Sequence, residues 1–275
     1  MKAGLYIVST PIGNMADITQ RAIDTLKLSD YIFAEDTRVT KKLLDKHNIE
    51  TKLKIYNDHS DEVVRGYIKS LIDEGLVVSL VSDAGTPLIS DPGYKLVRDL
   101  QNDGYFVDVI PGCCSPIAAL TLSGLPTDRF MFCGFLPKTF QAKEKAFKEI
   151  SSLPATIIFF ETTARLHSSL EVALRTLGDR EICVVREITK MYQTAKRGLI
   201  SEVMAFFEAN PPRGEIVIVL SGEKAEGNID ICAMARDLLD GGMSAKTVAE
   251  IIHEKDLGYS KSEIYKIVNQ AKKGT

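Results

Sequence analysis

Only five cysteines occur in 275 residues, and no two are spaced C-x-x-C. The odd count argues against a disulfide framework and the spacing against a zinc site, so reduced thiols and no bound metal are expected. Long hydrophobic runs are missing too: stretches such as 216–220 are far too short to span a bilayer, which excludes a membrane protein of the helical kind. Met1-Lys2-Ala3 leads directly into a strand pattern, so no signal peptide and a cytoplasmic location are expected. An excess of basic charge is also absent. The net charge of −3 excludes a protein that coats nucleic acid non-specifically, although one face can still carry a basic patch. No G-x-G-x-x-G follows the first strand, neither G-x-x-x-x-G-K-[ST] nor G-x-S-x-G occurs, and the four histidines are scattered. Dinucleotide, P-loop and Ser/His hydrolase readings therefore lose their warrant.

What is present is an alternation. Hydrophobic residues make up 45% and charged residues 26%, and the length allows two well-buried cores. Strand patterns at 5–8, 31–34, 77–81 and 106–110 alternate with helical ones, among them 61–75 and 93–103. That order predicts a doubly wound, mostly parallel α/β sheet whose ligands sit beyond the carboxyl ends of the strands. The pattern changes near Ser123-Gly124-Leu125-Pro126. Beyond it, strands at 130–134, 156–160, 181–185 and 215–220 predict a second α/β domain with a mixed sheet. Three helical patterns follow, about 229–240, 244–255 and 260–272, separated by Gly241-Gly242 and Gly258. We therefore expect domains at 1–117 and 118–226 and a helix-turn-helix-like tail at 227–275. The tail's charges are roughly balanced, which leaves RNA contact and packing equally open.

The most unusual stretch is Ser82-Asp83-Ala84-Gly85-Thr86-Pro87-Leu88-Ile89-Ser90-Asp91-Pro92-Gly93. Small residues at the end of a buried strand let a ligand touch the backbone, and the prolines stiffen the loop. Thr10-Pro11-Ile12-Gly13-Asn14, Glu35-Asp36-Thr37-Arg38 and Pro111-Gly112-Cys113-Cys114-Ser115 occupy similar strand ends. Together with Gly134-Phe135-Leu136-Pro137 and Arg186-Glu187-Ile188-Thr189-Lys190, these loops resemble the tetrapyrrole methylase superfamily of S-adenosylmethionine-dependent methyltransferases. Within it they look like the branch that methylates the ribose 2′-hydroxyl of a cytidine in the decoding region of 16S ribosomal RNA. The resemblance covers nearly the whole chain. It implies two α/β domains with a cofactor cleft between them, S-adenosylmethionine bound in a folded form, a homodimer, and the small ribosomal subunit as partner. It also implies that Asp83, Ala84, Gly85 and Thr86 line the cofactor, with Thr10, Pro11, Ser115 and Ile117 close to it. Two places depart from the family pattern: Cys113 follows Pro111-Gly112 where a proline is usual, and Glu161-Thr162-Thr163-Ala164-Arg165 lacks a usual histidine at 164. No histidine at that position can therefore serve as a base here.

Methyl transfer to a hydroxyl is an in-line displacement, so alignment dominates and can supply roughly 7–11 kcal/mol. A positioned base adds roughly 10²–10⁴-fold. Carboxylates at strand ends are the candidates: Glu161 first, because it ends the apolar strand Ile157-Ile158-Phe159-Phe160, then Glu35 and Asp91. Asp91 has an equal claim as a turn former, and Glu35 as an ion-pair partner of Arg38. For RNA phosphates the candidates are Arg38, Lys138, Lys143, Arg186 and Lys190. Two other readings stand beside this one: a methyltransferase acting on a small tetrapyrrole, which has no need of the tail, and a non-catalytic RNA-binding or ribosome-assembly protein.

Overall fold

The computed structural model describes residues 1–57, 62–223, 231–254 and 260–273. Its contacts divide into two compact units, one holding two five-stranded sheets with their helices and one holding the tail helices. In the first sheet, β1 (Gly4–Val8), β2 (Tyr31–Ala34), β3 (Lys52–Ile55), β4 (Val77–Val81) and β5 (Val107–Ile110) run in the order β3-β2-β4-β1-β5. Every pairing is parallel, as the strand–helix alternation predicts. Central β4 is buried at all five positions, because helices cover both faces. Successive residues serve opposite cores. Val8, Ile32 and Val81 pack with Ala22, Leu26 and Leu44 of α1 (Gln20–Leu28) and α2 (Thr37–Lys46). Leu5, Phe33 and Leu80 pack with Ile68 of α3 (Glu62–Asp73) and Leu96 and Leu100 of α4 (Tyr94–Asn102). Thr19 and Asp36 cap α1 and α2 through their side-chain oxygens.

After β5, α5 (Ser115–Ser123) leads to the second half. There β6 (Phe130–Phe135), α6 (Phe140–Ile150), β7 (Thr156–Thr162), α7 (Thr163–Leu177), β8 (Glu181–Arg186), β9 (Thr194–Leu199), α8 (Ile200–Ala209) and β10 (Glu215–Leu220) follow in turn. The sheet order is β6-β7-β10-β8-β9, with β6 and β7 parallel and the other pairs antiparallel, so the sheet is mixed as expected. Ala119 and Leu120 of α5 share a core with Ile158, Val185 and Val217 of this sheet and with Ile12 from the loop after β1. That shared core joins the two sheets.

Three elements are not legible as sequence patterns. Edge strands β3 (Lys-Leu-Lys-Ile) and β9 (Thr-Ala-Lys-Arg-Gly-Leu) carry no apolar run, since only one neighbour and one face ask for burial. Helix α5 is apolar on all sides, with Ala119 and Leu120 buried but Ile117 and Leu122 exposed, so it shows no helical period.

In the tail unit, α9 (Ile231–Asp240), α10 (Ala245–Glu254) and α11 (Lys261–Lys273) close around Ala235, Val248, Ala249, Ile252, Ile264 and Val268. The expected helix starts at 61 and 229, the domain boundary at 226–227, and Gly258 lie outside the described residues. Among the described residues no helix is long and apolar enough to cross a membrane.

Candidate functional site

In the first sheet β2, β4, β1 and β5 are neighbours, so the unusual loops after them meet along one edge. They are tied together by hydrogen bonds. The Thr10 and Gly85 backbones exchange two, at 2.8 and 3.1 Å, and Thr10 Oγ1 donates to the Ser82 carbonyl at 3.2 Å. The hydroxyls of Ser9 and Thr86 lie 3.0 Å apart, and Thr86 Oγ1 donates to the Cys113 carbonyl at 3.0 Å. Asp83 Oδ1 accepts the Asp36 amide proton at 2.9 Å, fastening the end of β2 to the end of β4. Across to the second half, the Asn14 amide donates to Thr189 Oγ1 at 3.0 Å.

A cavity of about 370 Å³ opens beside these ties. Ala84, Gly85, Thr86, Asp91 and Ser115 line it from the first half, and Phe135, Phe160, Glu161, Glu215 and Val217 from the second. Gly85 sits at φ +81°, and a side chain there would come 3.2 Å from Ile12 Cγ2. Gly214, also in the wall, has φ +88°, and a Cβ would run into the Glu187 carboxylate at 2.1 Å. Both walls therefore need glycine. Residues other than glycine also take positive φ here: Leu88 and Ser90 in the loop after β4, Glu187 and Thr189 in the loop after β8. Such conformations store strain, and they gather at the loops that frame ligand sites.

Glu161 faces the same cavity, yet its carboxylate is held internally. Arg165 Nη2 reaches Oε1 at 2.6 Å, the Thr162 amide reaches Oε1 at 2.7 Å, and Ser169 Oγ donates to Oε2 at 2.5 Å. The side chain is 0% exposed. A carboxylate has about four acceptor positions, so three strong donors leave little capacity to take a proton from a substrate. Arg165 also bonds Thr162 Oγ1 and the Leu136 carbonyl, which ties the turn between β7 and α7 to the end of β6.

The remaining expected site residues are spread more widely. Thr10, Pro11 and Asp83 line a second cavity of about 210 Å³ instead, whereas Ala84 borders both. Ile117 is 43% exposed and lines neither. Arg38 pairs with Asp36 at 2.6 Å rather than with the expected Glu35, and its guanidinium holds the Asp36 carboxyl down at about 2. Glu35 is half-buried at the end of β2 and lines neither cavity. Lys138 is exposed, and Arg186 donates to the Tyr192 carbonyl at 3.1 Å. Lys190 bonds Glu187 at 2.9 Å and Glu215 at 3.0 Å. Burial opposes its charge, but those two carboxylates outweigh burial and raise its pKa. The Glu215 amide and the Lys190 ammonium in turn hold Glu187 below the usual carboxylate range. Lys143 corrects the expectation of a solvent-facing cation: it is 2% exposed, and its ammonium donates to Ser168 Oγ at 2.6 Å. Burial lowers its pKa, so it belongs to the interior and not to a phosphate-binding face.

Two residues escaped the sequence reading. Arg165 stands four residues after Glu161, a spacing at which opposite charges meet when a helix starts between them. Glu215 opens its strand instead of ending it. Because β10 runs antiparallel to β7, with Glu215 opposite Thr162, its beginning lies at the edge where β7 finishes. The signal was Pro211-Pro212-Arg213-Gly214-Glu215, a turn leading into an apolar run.

Comparison with known proteins agrees with this architecture. Residues 4–204 match the family of tetrapyrrole (corrin/porphyrin) methylases. The ribosomal RNA small subunit methyltransferase I of Rickettsia prowazekii is 56% identical over 276 residues, covering 99% of this chain and 98% of that protein. The protein of the same name from Escherichia coli O157:H7 is 41% identical, covering 95% of this chain and 93% of that one. Among solved structures, a diphthine synthase superposes with a TM-score of 0.61 at 13% identity, covering 79% of this chain and 89% of that one. A uroporphyrin-III-C-methyltransferase from Thermus thermophilus gives 0.55 at 17% identity, covering 79% and 94%. At those identities the structures share the fold alone. The family match and the two close relatives decide the lineage: this chain belongs to the tetrapyrrole methylase family.

Proposed function

We propose that this chain transfers the methyl group of S-adenosylmethionine to the ribose 2′-hydroxyl of a cytidine in the decoding region of 16S ribosomal RNA. The observation that carries this reading is the match along 99% of the chain to a protein named as a small-subunit ribosomal RNA methyltransferase. The acting form is a homodimer in the cytoplasm, built from domains at 1–117, 118–226 and 227–275. Exposure of Met191 at 89% and Tyr192 at 71% supports a second copy covering that apolar pair.

The cofactor fits the larger cavity on its chemistry. At about 370 Å³ the cavity is of ligand size. Gly85 brings backbone to its wall, and Thr86 and Ser115 offer hydroxyls without bulk. Carboxylates of Asp91 and Glu215 border it and suit a ligand carrying an ammonium and a sulfonium. When bound, S-adenosylmethionine supplies a methyl group on a good leaving group. The protein's part is to align the ribose oxygen with that methyl and to let the hydroxyl proton depart, with Asp91 and Glu215 as the carboxylates at hand. Glu161 acts as a positioning residue that keeps the turn between β7 and α7 at the cavity's edge. Arg38, Lys138, Arg186 and Lys190 hold RNA phosphates.

The test supplies labelled cofactor with either unmodified small subunits or free 16S RNA and maps 2′-O-methylation. Incorporation at one cytidine of the decoding region is expected. Confirmed cofactor binding without incorporation into either substrate would overturn the RNA assignment.

A further inference from the structure

The tail helices lie beyond residues 4–204, the span matched to the family, and the reaction gives them no work. Their charges balance only in total. Helix α9 sets one arginine against two aspartates, and α10 sets one lysine against two glutamates. Helix α11 sets four lysines against a single acid, Glu263. That acid is spent locally: its carboxylate accepts the Ser260 amide at 2.9 Å and the Ser260 hydroxyl at 2.6 Å, capping the first turn. The positive charge of the tail is thus gathered on one helix.

The same helix divides into two faces. Ile264, Val268 and Ala271 are buried in the core shared with α9 and α10, with Ile267 beside them. Ser262, Tyr265, Lys266, Asn269 and Gln270 are exposed. A face made for another protein has an apolar centre, and this one carries no exposed aliphatic side chain. It offers instead an ammonium for phosphate, two amides able to pair with base edges, and a tyrosine, 42% exposed, whose ring can stack. As the second helix of a helix-turn-helix pair, α11 holds the position that enters the major groove in readers of duplex DNA. The major groove of duplex RNA is too deep and narrow to be read that way. In RNA the face therefore suits unpaired nucleotides, whose bases are open to stacking.

We propose that the exposed face of α11 is a second RNA-binding surface, which takes unpaired nucleotides of the small-subunit ribosomal RNA other than the one methylated. Lys266 holds a phosphate, Tyr265 stacks on a base, and Asn269 and Gln270 meet base edges. The assignment rests on the ribosomal RNA reading above, to which it adds affinity and no chemistry.

The experiment uses the full-length chain with Tyr265→Ala, Lys266→Gln and, as a control for charge alone, Lys246→Gln on the exposed side of α10. Binding to 16S RNA is measured by filter binding over a salt series, and S-adenosylmethionine affinity by calorimetry. Cofactor affinity within twofold of wild type is expected for all three. Tyr265→Ala should weaken RNA binding about tenfold, the loss of one stacked base, with the salt slope unchanged. An unfolded tail would lower affinity and slope together, so the unchanged slope is the folding control. Lys266→Gln should lower the slope by about 0.7, one phosphate contact on unpaired RNA. Lys246→Gln should change neither. Unpaired RNA should compete with 16S RNA better than duplex RNA or duplex DNA of equal length. Wild-type affinity and slope in both α11 variants would overturn the proposal. So would equal losses in the α10 variant, or a duplex as the better competitor. A wild-type protein that binds RNA through α11 yet methylates none would instead remove the methylation reading and leave this surface standing.

Discussion

Individual side chains divide into those that hold the site's frame and those left to face a ligand. Asp36 belongs to the frame: it caps α2, grips Arg38 and gives its amide to Asp83. Its carboxyl titrates near pH 2 because Arg38 favours the charged form. A depressed acid of this kind contributes its stabilisation at all pH values above the ordinary aspartate range and loses it as pH falls towards 2. Arg38→Ala should raise the Asp36 titration, followed by NMR, only part of the way to that ordinary range, because the amides of residues 38 and 39 still favour the carboxylate. Glu161 is a second frame residue. Glu161→Gln keeps the shape but weakens hydrogen bonds from Arg165 and Ser169 that involve a charge, each worth roughly 1.5–3 kcal/mol. A lower melting temperature with cofactor affinity and kcat falling only as far as folding does is the expected pattern. An unchanged melting temperature with kcat down a hundredfold or more would restore Glu161 as the base.

At the scale of elements, the loop after β4 does most to define the site, and Gly85 is its critical point. Gly85→Ala imposes a left-handed conformation costing roughly 1–2 kcal/mol and crowds Ile12, so both the melting temperature and cofactor affinity should drop. Much at this scale was legible in the sequence. The parallel sheet followed from apolar runs alternating with helices, and the site's edge followed from the unusual residues at 10–14, 35–38, 82–93 and 111–115. Edge strands β3 and β9 were not, because at least half of each is solvated and pairing rather than hydrophobicity forms them. Nor was Glu215, whose place depends on strand direction, a property of the whole sheet. The division of the expected cofactor residues between two cavities was also hidden, since Asp83 and Gly85, only two residues apart, border different spaces. Charge count likewise failed for Lys143: its side of α6 is decided by packing beneath Ser168, and no local pattern marks it.

For the molecule as a whole, a net charge of −3 means that RNA affinity has to come from a local set of cations and not from a general attraction. The salt dependence should therefore be shallow, reflecting a few phosphate contacts, with each contributing about 0.7–0.9 to the slope of log K against log salt. Removing Arg38 and Lys138 together should flatten that slope by roughly 1–2 and weaken binding equally for methylatable and altered target sequences. Filter binding over a salt series measures this.

The paired backbones of Thr10 and Gly85 have a consequence for how this enzyme can change. The link they form between the loops after β1 and β4 is made of amide and carbonyl groups, which every amino acid except proline carries in full. The side chain at position 10 can therefore be exchanged without undoing the pairing, whereas Gly85 is fixed by its φ of +81°. The loop after β1 can thus alter what it shows to a ligand while its place against the loop after β4 stays fixed.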